Sequence, residues 1–319
     1  MKKALVVAAI LAIVSHSAVC AELIVKGPFE LNRANSRFVQ PPNGTIEVQI
    51  WAEGFTRNVK SLQIRLQFID KDQNDRVPGW FSIASGTYNP YFGYYAIYPE
   101  FPTSAETNVW DPSYFSFSFT TAQDLSAETQ IATVYYTYSS SSTACPYRIA
   151  IDGDPGNSFA TDEDSRELDL ISRDGHFTIG ANTWIVDNNE SGDFTTIQAA
   201  LDAETTVDGD LLLVKDSGTN YSGADNRDIS LLGKEVILAS YPSGDPSNCI
   251  VDCGGSENEP HRGFCFDDTG ETQNTLIDGF TITGGFLVND VGPDSSDRGS
   301  AIFWLRLVPD HIQLRNLRQ

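Results

Sequence analysis

The chain contains 319 residues, with 43 Asp and Glu against 21 Lys and Arg, which gives a formal net charge of -22. Such an acidic surface repels nucleic acid and anionic lipid, so neither is an expected partner. The length exceeds that of a typical single domain and favours two domains or one elongated domain.

The first 21 residues carry the pattern of a secretory signal peptide. Lys2 and Lys3 precede an apolar run from Ala4 to Val14, and small residues follow up to Ala21. The apolar part is too short for a membrane span, and no later segment is long and apolar enough to cross a bilayer. We therefore predict an exported protein that is secreted, periplasmic or located at the cell surface.

Residues 22–180 have the alternating polarity of short β-strands. The alternating positions are Ile46, Val48 and Ile50, then Phe115, Phe117 and Phe119, then Ile131, Thr133 and Tyr135. Strands at this spacing, separated by turn-forming stretches such as "PPNG", are typical of a β-sandwich. The order "TIEVQIWAEGF", "SLQIRLQFID", "TQIATVYYTY" resembles the cohesin-type and carbohydrate-module sandwiches of secreted bacterial proteins.

Aromatic residues are concentrated in "WFSIASGTYNPYFGYYAIYPEF". Exposed aromatic faces stack on sugar rings, so this stretch is a candidate carbohydrate-binding platform. The candidate residues are Trp80, Tyr91, Tyr94 and Tyr95. The alternative is that several of these rings fill the core of the sandwich.

The acidic stretch from Asp152 to Asp169 is the candidate for calcium. An EF-hand loop counted from Asp152 has the required Glu at position twelve, Glu163, but has Asn157 at position six where Gly is needed. We therefore predict a solvated loop, with a less regular Ca2+ site as the alternative. His176 and His261 are isolated from nucleophile motifs and are interpreted as loop histidines.

The chain from residue 181 to 302 has a longer period. Short apolar runs recur, with about 25 residues from "LLLV" to "VILA" and about 27 from "CIVDC" to "LIDGFTI", as expected for the coils of a parallel β-helix. The motifs "GDFTTIQAALDA", "CIVDCGG" and "NTLIDGFTITGG" follow in an order that resembles right-handed parallel β-helix proteins of the pectin-lyase-like superfamily. The fold class predicted for the whole chain is all-β.

The stretch "GDFTTIQAALDA" predicts a short helix that covers the open end of the first coil. Thr195 is the predicted N-cap, and Gln198 three residues later would close a capping box. The apolar face would consist of Ile197, Ala200 and Leu201. Covering the end shields apolar interior and unpaired backbone that would otherwise recruit other chains.

Esterases and lyases of the resembled fold need paired carboxylates with an arginine or lysine on later coils. The esterase-like motifs are absent here. Asp252 and Asp278 could fall on equivalent strands of neighbouring coils, with Arg262 between them in sequence, which makes this trio the best catalytic candidate. The alternative, which we favour, is that the aspartates shape turns and bind backbone donors. No residue is therefore predicted to be catalytic.

Four cysteines follow the signal peptide, namely Cys145, Cys249, Cys253 and Cys265. An exported chain permits disulfides, and the sequence leaves their pairing open. If "CIVDC" is a strand, Cys249 and Cys253 lie about 13 Å apart and cannot bond to each other.

Residues 303–319 depart from the preceding pattern. This tail contains three Arg and one Asp, and it has no Gly for the turns of a coil. We predict that it forms no further coil and that the reading frame departs near Ile302, which would truncate the protein. The alternative is a genuine cap, in which a short helix lies on the last coil.

These patterns together predict a non-catalytic secreted or cell-surface protein for adhesion or glycan binding. A polysaccharide or cell-surface glycan is the expected partner, and no cofactor is required. One alternative is a polysaccharide-active lyase or esterase of the pectin-lyase-like fold, supported by fold analogy alone. The other alternative is an inactive product of a truncated gene.

Overall fold

The computed structural model describes residues 21–34, 43–70, 91–99, 103–108, 111–139, 145–154, 156–216, 218–266, 270–286, 302–304 and 312–315. Residues 1–20 of the predicted signal peptide and Trp80 lie outside these ranges. Within the described part of the chain, no helix is long enough and apolar enough to cross a membrane.

The first half consists of two β-sheets and one short helix. Its helix is α1 (Pro28–Asn32). Its strands are β1 (Glu22–Lys26), β2 (Asn43–Glu53), β3 (Val59–Ile69), β4 (Tyr91–Pro99), β5 (Thr103–Asn108), β6 (Asp111–Gln123), β7 (Thr129–Ser139), β8 (Cys145–Ile151), β9 (Phe159–Thr161), β10 (Glu167–Leu168), β11 (Ile171–Arg173) and β12 (Gly175–Ile179). One sheet has the order β11-β1-β2-β7-β4, and the other has the order β10-β9-β3-β6-β5 with β8 and β12 attached through β3.

The two sheets enclose one apolar core, as expected for a β-sandwich. Every second residue of β2 and β3 is buried, including Val48 at 0% exposure and Leu66 at 0%. The rings of Phe68 and Tyr136, from facing sheets, meet edge to face at 4.9 Å. The predicted sandwich is confirmed, and we call this unit the sandwich.

The predicted alternation in β7 was wrong in phase. Ile131 is buried as expected, but Val134 and Tyr136 face the core, while Tyr135 is only half-buried. The cause is a register shift: β2 and β7 pair in step up to Ala132, and Ile131 is then skipped. One extra residue in a strand moves every later side chain to the opposite face.

The second half is built from parallel strands. They are β13 (Thr183–Val186), β14 (Leu211–Lys215), β15 (Tyr221–Ser222), β16 (Ile237–Tyr241), β17 (Ile250–Asp252), β18 (Phe264–Phe266), β19 (Thr275–Asp278), β20 (Thr281–Thr283), β21 (Ile302–Trp304) and β22 (Ile312–Arg315). Three sheets result, β13-β14-β16-β19-β22, β15-β17-β20 and β18-β21. The chain returns repeatedly to the same sheets, so each strand pairs with the next strand that returns to its sheet. We call this unit the parallel stack.

Side chains of the largest parallel sheet are stacked in register. Leu212 of β14 lies beside Leu238 of β16, which lies beside Ile277 of β19. All three are fully buried in one cluster enclosed by the three sheets. The alternate residues point to the outer face of the same sheet, where Leu213 and Ala239 form part of a second apolar cluster.

The expectation that the tail forms no further coil was wrong. Residues 302–304 form β21, in which Phe303 pairs with Cys265 of β18. Residues 312–315 form β22, in which Leu314 pairs with Ile277 of β19. A parallel neighbour accepts any segment that can extend and donate backbone hydrogen bonds, so glycine-rich turns are not needed within the strands themselves.

Helix α2 (Ile197–Asp202) lies where the sequence predicted one. Its apolar face is the predicted set of Ile197, Ala200 and Leu201, all buried. These side chains pack in the same cluster as Val186 of β13 and Leu212 of β14, next to the first strand of the largest parallel sheet.

The predicted N-cap of α2 was wrong by one residue. Thr196 caps the helix, since its hydroxyl oxygen accepts a hydrogen bond from the amide of Ala199 at 3.4 Å. Gln198 closes no capping box, because its side chain bonds across to Ser230, accepting from the amide at 2.9 Å and donating to the carbonyl at 3.2 Å. Two adjacent threonines offer the same cap chemistry, and packing selected the second rather than Thr195.

Helix α1 of the sandwich lies against the outer face of the largest parallel sheet. Phe29 is 3% exposed and packs among Leu213, Ile237 and Ala239. Arg33, just after the helix, reaches Asp278 of β19 and the backbone oxygen of Ser240. We call the contacts of residues 29–33 with the parallel stack the joint, because they attach one half of the molecule to the other.

Cys249 and Cys253 flank β17, are both buried and form no disulfide, as the spacing predicts. Burial raises the pKa of the Cys249 thiol to about 12 and that of Cys253 to about 11. Both thiols are therefore protonated and shielded, and they serve as apolar packing.

Candidate functional site

A groove lies beside the first strands of the parallel stack. Its volume is about 750 Å³, and it is lined by Ala181, Asn182, Thr183, Trp184, Ile185, Ser191, Gly192, Asp193, Lys215 and Tyr241. The lining combines aromatic rings, one cation, a carboxylate and hydroxyl groups. We call it the Trp184 groove.

Strand register brings Lys215 and Tyr241 together. Lys215 is the last residue of β14 and pairs with Tyr241, the last residue of β16. Because β-strand side chains alternate, Leu213 and Lys215 share the outer face while Leu212 points to the core. The groove thus has two polar-tipped side chains at the ends of adjacent strands.

Trp184 is held in a fixed orientation. Its indole Nε1 donates a hydrogen bond to Oδ2 of Asp210 at 2.9 Å, and its ring meets Phe194 edge to face at 5.8 Å. Asp210 is itself fully buried and accepts a hydrogen bond from the amide of Asn182 at 2.8 Å. Trp184 pairs with Leu212, whose side chain points to the core, so the indole lies on the core side of the sheet and packs against the buried cluster.

Lys215, Asp187 and Ser191 form a charged cluster at one side of the groove. Nζ of Lys215 lies 2.7 Å from Oδ2 of Asp187 and 3.1 Å from the hydroxyl of Ser191, which donates to the same carboxylate. Burial acts to raise the pKa of Asp187, but the hydrogen bonds from Lys215 and Ser191 outweigh it and leave that pKa lowered. The hydrogen bond and charge of Asp187 in turn raise the pKa of Lys215.

This cluster contains the residue types of a serine nucleophile and its base, but its contacts do not favour nucleophilic catalysis. A lysine acts as a base only when its pKa is depressed, whereas the pKa of Lys215 is raised. Ser191 also donates its hydrogen bond to a carboxylate that is already paired with Lys215. The cluster therefore presents a fixed ion pair and a hydroxyl to the groove, which suits binding.

The catalytic candidates Asp252, Asp278 and Arg262 are not brought together. Asp252 ends β17 and pairs with Thr283, whereas Asp278 ends β19 in a different sheet. Arg262 lies near Asp228, with its Nε 3.8 Å from Oδ1. The expectation that the two aspartates occupy equivalent strands was wrong, because the repeats place them on different sheets.

Asp278 is bound by Arg33, a residue of the joint. Its Oδ2 lies 2.6 Å from Nη1 of Arg33, and its backbone oxygen accepts a second hydrogen bond from the same guanidinium at 3.0 Å. Gly244 and Gly279 leave room for that group: a Cβ at either position would come within 2.8 Å of a guanidinium nitrogen. Asp252 accepts a bond from the amide of Gly254 at 3.1 Å, as expected for a turn residue.

The acidic stretch is held more tightly than a solvated loop. Asp152 is 3% exposed and binds the guanidinium of Arg65, the amide of Asp154 and the side chain of Asn157. The described residues include no group of three or more His, Cys, Asp or Glu placed to hold a metal ion. Calcium binding by this stretch stays a prediction.

The interpretation of His176 as a loop residue was wrong. His176 lies on β12, is 1% exposed, and its Nδ1 is 3.0 Å from Oε1 of Glu30 in the joint. His261 fits the interpretation better, since it lies in a loop and its Nδ1 is 2.6 Å from Oδ2 of Asp228.

Three of the predicted carbohydrate-binding residues lie on β4. Tyr91 pairs with Ser139 and Tyr94 with Tyr136 of β7, and the register shifts at Tyr95. Their side chains and Trp80 lie outside the described part of the structure, so the aromatic platform stays a prediction.

Sequence reasoning did not identify Trp184, Lys215 or Tyr241. A signal was present, since the runs "LLLVK" and "ILASY" are one repeat apart and align Lys215 with Tyr241. The role of Trp184 could not be found in this way, because its partner Asp210 belongs to a loop with no apolar pattern.

No family model matches the chain, and no curated protein matches it. Among solved structures, a type I cohesin–dockerin complex from Clostridium thermocellum is 14% identical with a TM-score of 0.34 and covers 50% of this chain and 93% of that chain. A cohesin module of a family 33 glycoside hydrolase from Clostridium perfringens is 13% identical with a TM-score of 0.34, covering 50% and 97%. A non-cellulosomal cohesin from Archaeoglobus fulgidus is 10% identical with a TM-score of 0.32, covering 50% and 91%.

Proposed function

We propose that this protein is a non-catalytic exported protein that binds a polysaccharide or cell-surface glycan in the Trp184 groove. In this proposal the parallel stack is a right-handed parallel β-helix of the pectin-lyase-like superfamily. The sandwich is an adhesion module of the cohesin or carbohydrate-module type. The signal-peptide pattern of residues 1–21 supports secretion or display at the cell surface.

The observation that carries the proposal is the lining of the groove. Sugar rings offer flat C–H faces that stack on aromatic rings, and hydroxyl groups that bond to charged and polar side chains. Tyr241 supplies a half-buried ring on the outer face of the sheet, while Lys215, Asp193 and Ser191 supply donors and acceptors. An open groove also accepts an extended chain, whereas a closed pocket selects a small molecule.

The state of the charged groups favours binding over catalysis. Lys215 is held as a cation by Asp187, which removes the base that a lyase would need. Asp278, the best-placed carboxylate on the same sheet face, is neutralised by Arg33. Lys215 and Asp278 are therefore engaged in fixed ion pairs, and the carboxylate of Asp193 accepts a hydrogen bond from the amide of Ile185 at 2.8 Å.

Glycan binding is tested with the variant Tyr241→Ala in the full chain. Affinity electrophoresis against a panel of soluble plant and bacterial polysaccharides should find a ligand for the wild-type protein. Calorimetry with that ligand should then show a loss of at least about tenfold in affinity for Tyr241→Ala. Tyr114→Ala, a half-buried tyrosine on β6 of the sandwich, is the matched control and should bind as the wild type does.

Two outcomes would contradict the proposal. One is a panel without any ligand, or a Tyr241→Ala variant that binds as tightly as the wild type. The other is turnover: release of unsaturated uronates or of methanol by the wild-type protein would establish an enzyme instead.

We propose the aromatic stretch of the sandwich as a second glycan surface. It comprises Trp80, Tyr91, Tyr94 and Tyr95. Tyr91, Tyr94 and Tyr95 belong to strand β4, and their aromatic side chains are of the type that stacks on sugar rings. A Tyr94→Ala, Tyr95→Ala double variant should lower glycan affinity independently of Tyr241→Ala, and unchanged affinity would remove this surface from the proposal.

A further inference from the structure

The centre of the joint is the carboxylate of Glu30. Its Oε2 accepts hydrogen bonds from the amides of Gly27 and His176, both at 2.9 Å. Its Oε1 lies 3.0 Å from Nδ1 of His176 and 3.3 Å from Nη1 of Arg315 on β22. One carboxylate thus connects helix α1 to β12 within the sandwich and to the parallel stack.

The contacts of His176 define its tautomer. A carboxylate oxygen only accepts hydrogen bonds, so Nδ1 of His176 carries a hydrogen, and in the neutral ring Nε2 is the bare nitrogen. Nε2 is buried and has no hydrogen-bond partner among the described residues. Burial, together with the charge of Arg315, lowers the pKa of His176 below its ordinary value of 6.5.

Two negative and two positive side chains surround His176, so their charges cancel while the ring is neutral. Glu30 on α1 and Asp174, just before β12, are negative. Arg315 on β22 is positive and bonds to Glu30 and to the backbone oxygen of Asp174. Arg148 on β8 is also positive and lies 2.7 Å from the carboxylate of Asp174. A proton on His176 would add a buried positive charge to two anions that are already paired.

We propose that the joint is an acid-sensitive latch, in which protonation of His176 releases the parallel stack from the sandwich. When the joint opens, Arg315 departs with the parallel stack, while Glu30 remains in the same half as His176. His176 therefore binds its proton more tightly in the open form. In that form the ring has lost the repulsion of Arg315, is in contact with water and still lies beside Glu30. This inference does not depend on the groove or on its ligand.

The sign and size of the effect follow from linkage. The closed form holds the lower pKa of His176, so its advantage is complete above about pH 6.5 and declines as the pH falls below that value. Below about pH 6.5, while the closed form stays neutral, the ratio of open to closed molecules rises by about tenfold for each unit by which the pH falls. From pH 7.5 to 5.0 the total rise is therefore up to about thirtyfold. Hydrogen bonds and the charge of Arg315, opposing the effect of burial, keep the pKa of Glu30 below 4.5, so Glu30 contributes only in stronger acid.

Hydrogen exchange of the full chain measures this opening. After correction for the intrinsic pH dependence of exchange, the peptide covering residues 27–34 should lose protection by up to about thirtyfold between pH 7.5 and 5.0. Strand β2 in the sandwich core should keep its protection, since the sandwich itself remains folded. His176→Gln retains an amide donor toward Glu30 and does not titrate, so its protection should change by less than about twofold over the same range.

His261→Gln is the matched control, because His261 also lies beside a carboxylate but outside the joint; it should behave as the wild type does. If His176→Gln does not fold, Arg315→Gln replaces it: with the repelling charge gone, the acid-dependent loss should shrink at least about threefold. The latch is overturned by wild-type protection that does not change with pH, by an undiminished loss in either joint variant, or by a loss that strand β2 shares.

Discussion

The two halves of the molecule bury their cores in different ways. In the sandwich, strands far apart in sequence pair antiparallel, as Val48 with Val134, and the core lies between two sheets. In the parallel stack each strand pairs with the next repeat, as Leu212 with Leu238, and the core lies inside the winding chain. The sandwich therefore depends on long-range contacts that close all at once, whereas the stack grows by local additions.

This difference locates the weak points of each half. A sandwich core is covered by its own two sheets. A parallel stack exposes an end wherever the repeats stop, and its outer face needs a separate partner. In this molecule α2 packs beside the first strand of the stack, and the joint covers part of the outer face. Variants of α2 and of the joint test how much the stack depends on these additions.

The largest effect is expected from replacing both Ile197 and Leu201 with Asp. Both side chains are fully buried in α2, so two charges would enter the core of the stack. The free energy of unfolding of the stack should fall by more than about 4 kcal/mol, and the exposed first strands should associate. Light scattering and urea unfolding measure both effects. Val207→Asp, at a position 46% exposed, is the control and should remain monomeric and stable.

The joint provides the second test, with Asp278→Ala. This change leaves the guanidinium of Arg33 buried without its 2.6 Å partner, which costs about 3 kcal/mol. Calorimetry should show the stack unfolding at lower temperature, while the sandwich transition stays where it is. Asp252→Ala removes a turn carboxylate from the same half and should cost less than about 1 kcal/mol. Equal losses for the two variants would show that the joint does not stabilise the stack.

A smaller effect separates the two threonines before α2. Thr196→Ala removes the hydroxyl that accepts the amide of Ala199 and should lower the free energy of unfolding by about 1 kcal/mol. Thr195→Ala should change it by less than about 0.5 kcal/mol. Chemical unfolding of both variants decides between them, and a reversed order would restore Thr195 as the cap.

The smallest effect concerns the ion pair at the groove. The pKa of Asp187 is lowered, so the stability it contributes is present above its ordinary value of 3.8 and is lost as the pH falls through the folded value. Asp187→Asn should therefore be less stable than the wild type at pH 7, by about 1 kcal/mol, and this difference should shrink toward pH 3. Asp225→Asn, an exposed carboxylate, is the control. A difference that persists undiminished at pH 3 would contradict the role given to the charge.

The features predicted best were those that follow from the local periodicity of apolar residues. Alternation in β2 and β3 predicted the buried faces of the sandwich, and the spacing of "LLLV" and "VILA" predicted the parallel pairing of β14 with β16. The apolar face of α2 was also predicted residue by residue. The errors came from single-residue events that periodicity does not record, such as the bulge at Ile131 and the choice of Thr196 over Thr195.

The candidate site was less accessible to sequence reasoning. Trp184 is positioned by Asp210, and Lys215 is held in an ion pair by Asp187, and neither pairing has a sequence motif. The aromatic stretch attracted attention through its composition alone. The groove instead depends on residues that are unremarkable one by one and that strand register places together.

The sequence by itself determined that the chain is all-β, that its two halves follow different periods, and that a short amphipathic helix precedes the second parallel strand. These are properties of neighbouring residues, and burial of an apolar face is decided within a few positions. Only the tertiary structure decided that Asp278 binds Arg33, that His176 is buried against Glu30, and that residues 302–304 and 312–315 continue the parallel sheets. Each of these depends on partners from distant parts of the chain, and the free energy of a buried charge is set by the groups that surround it in space.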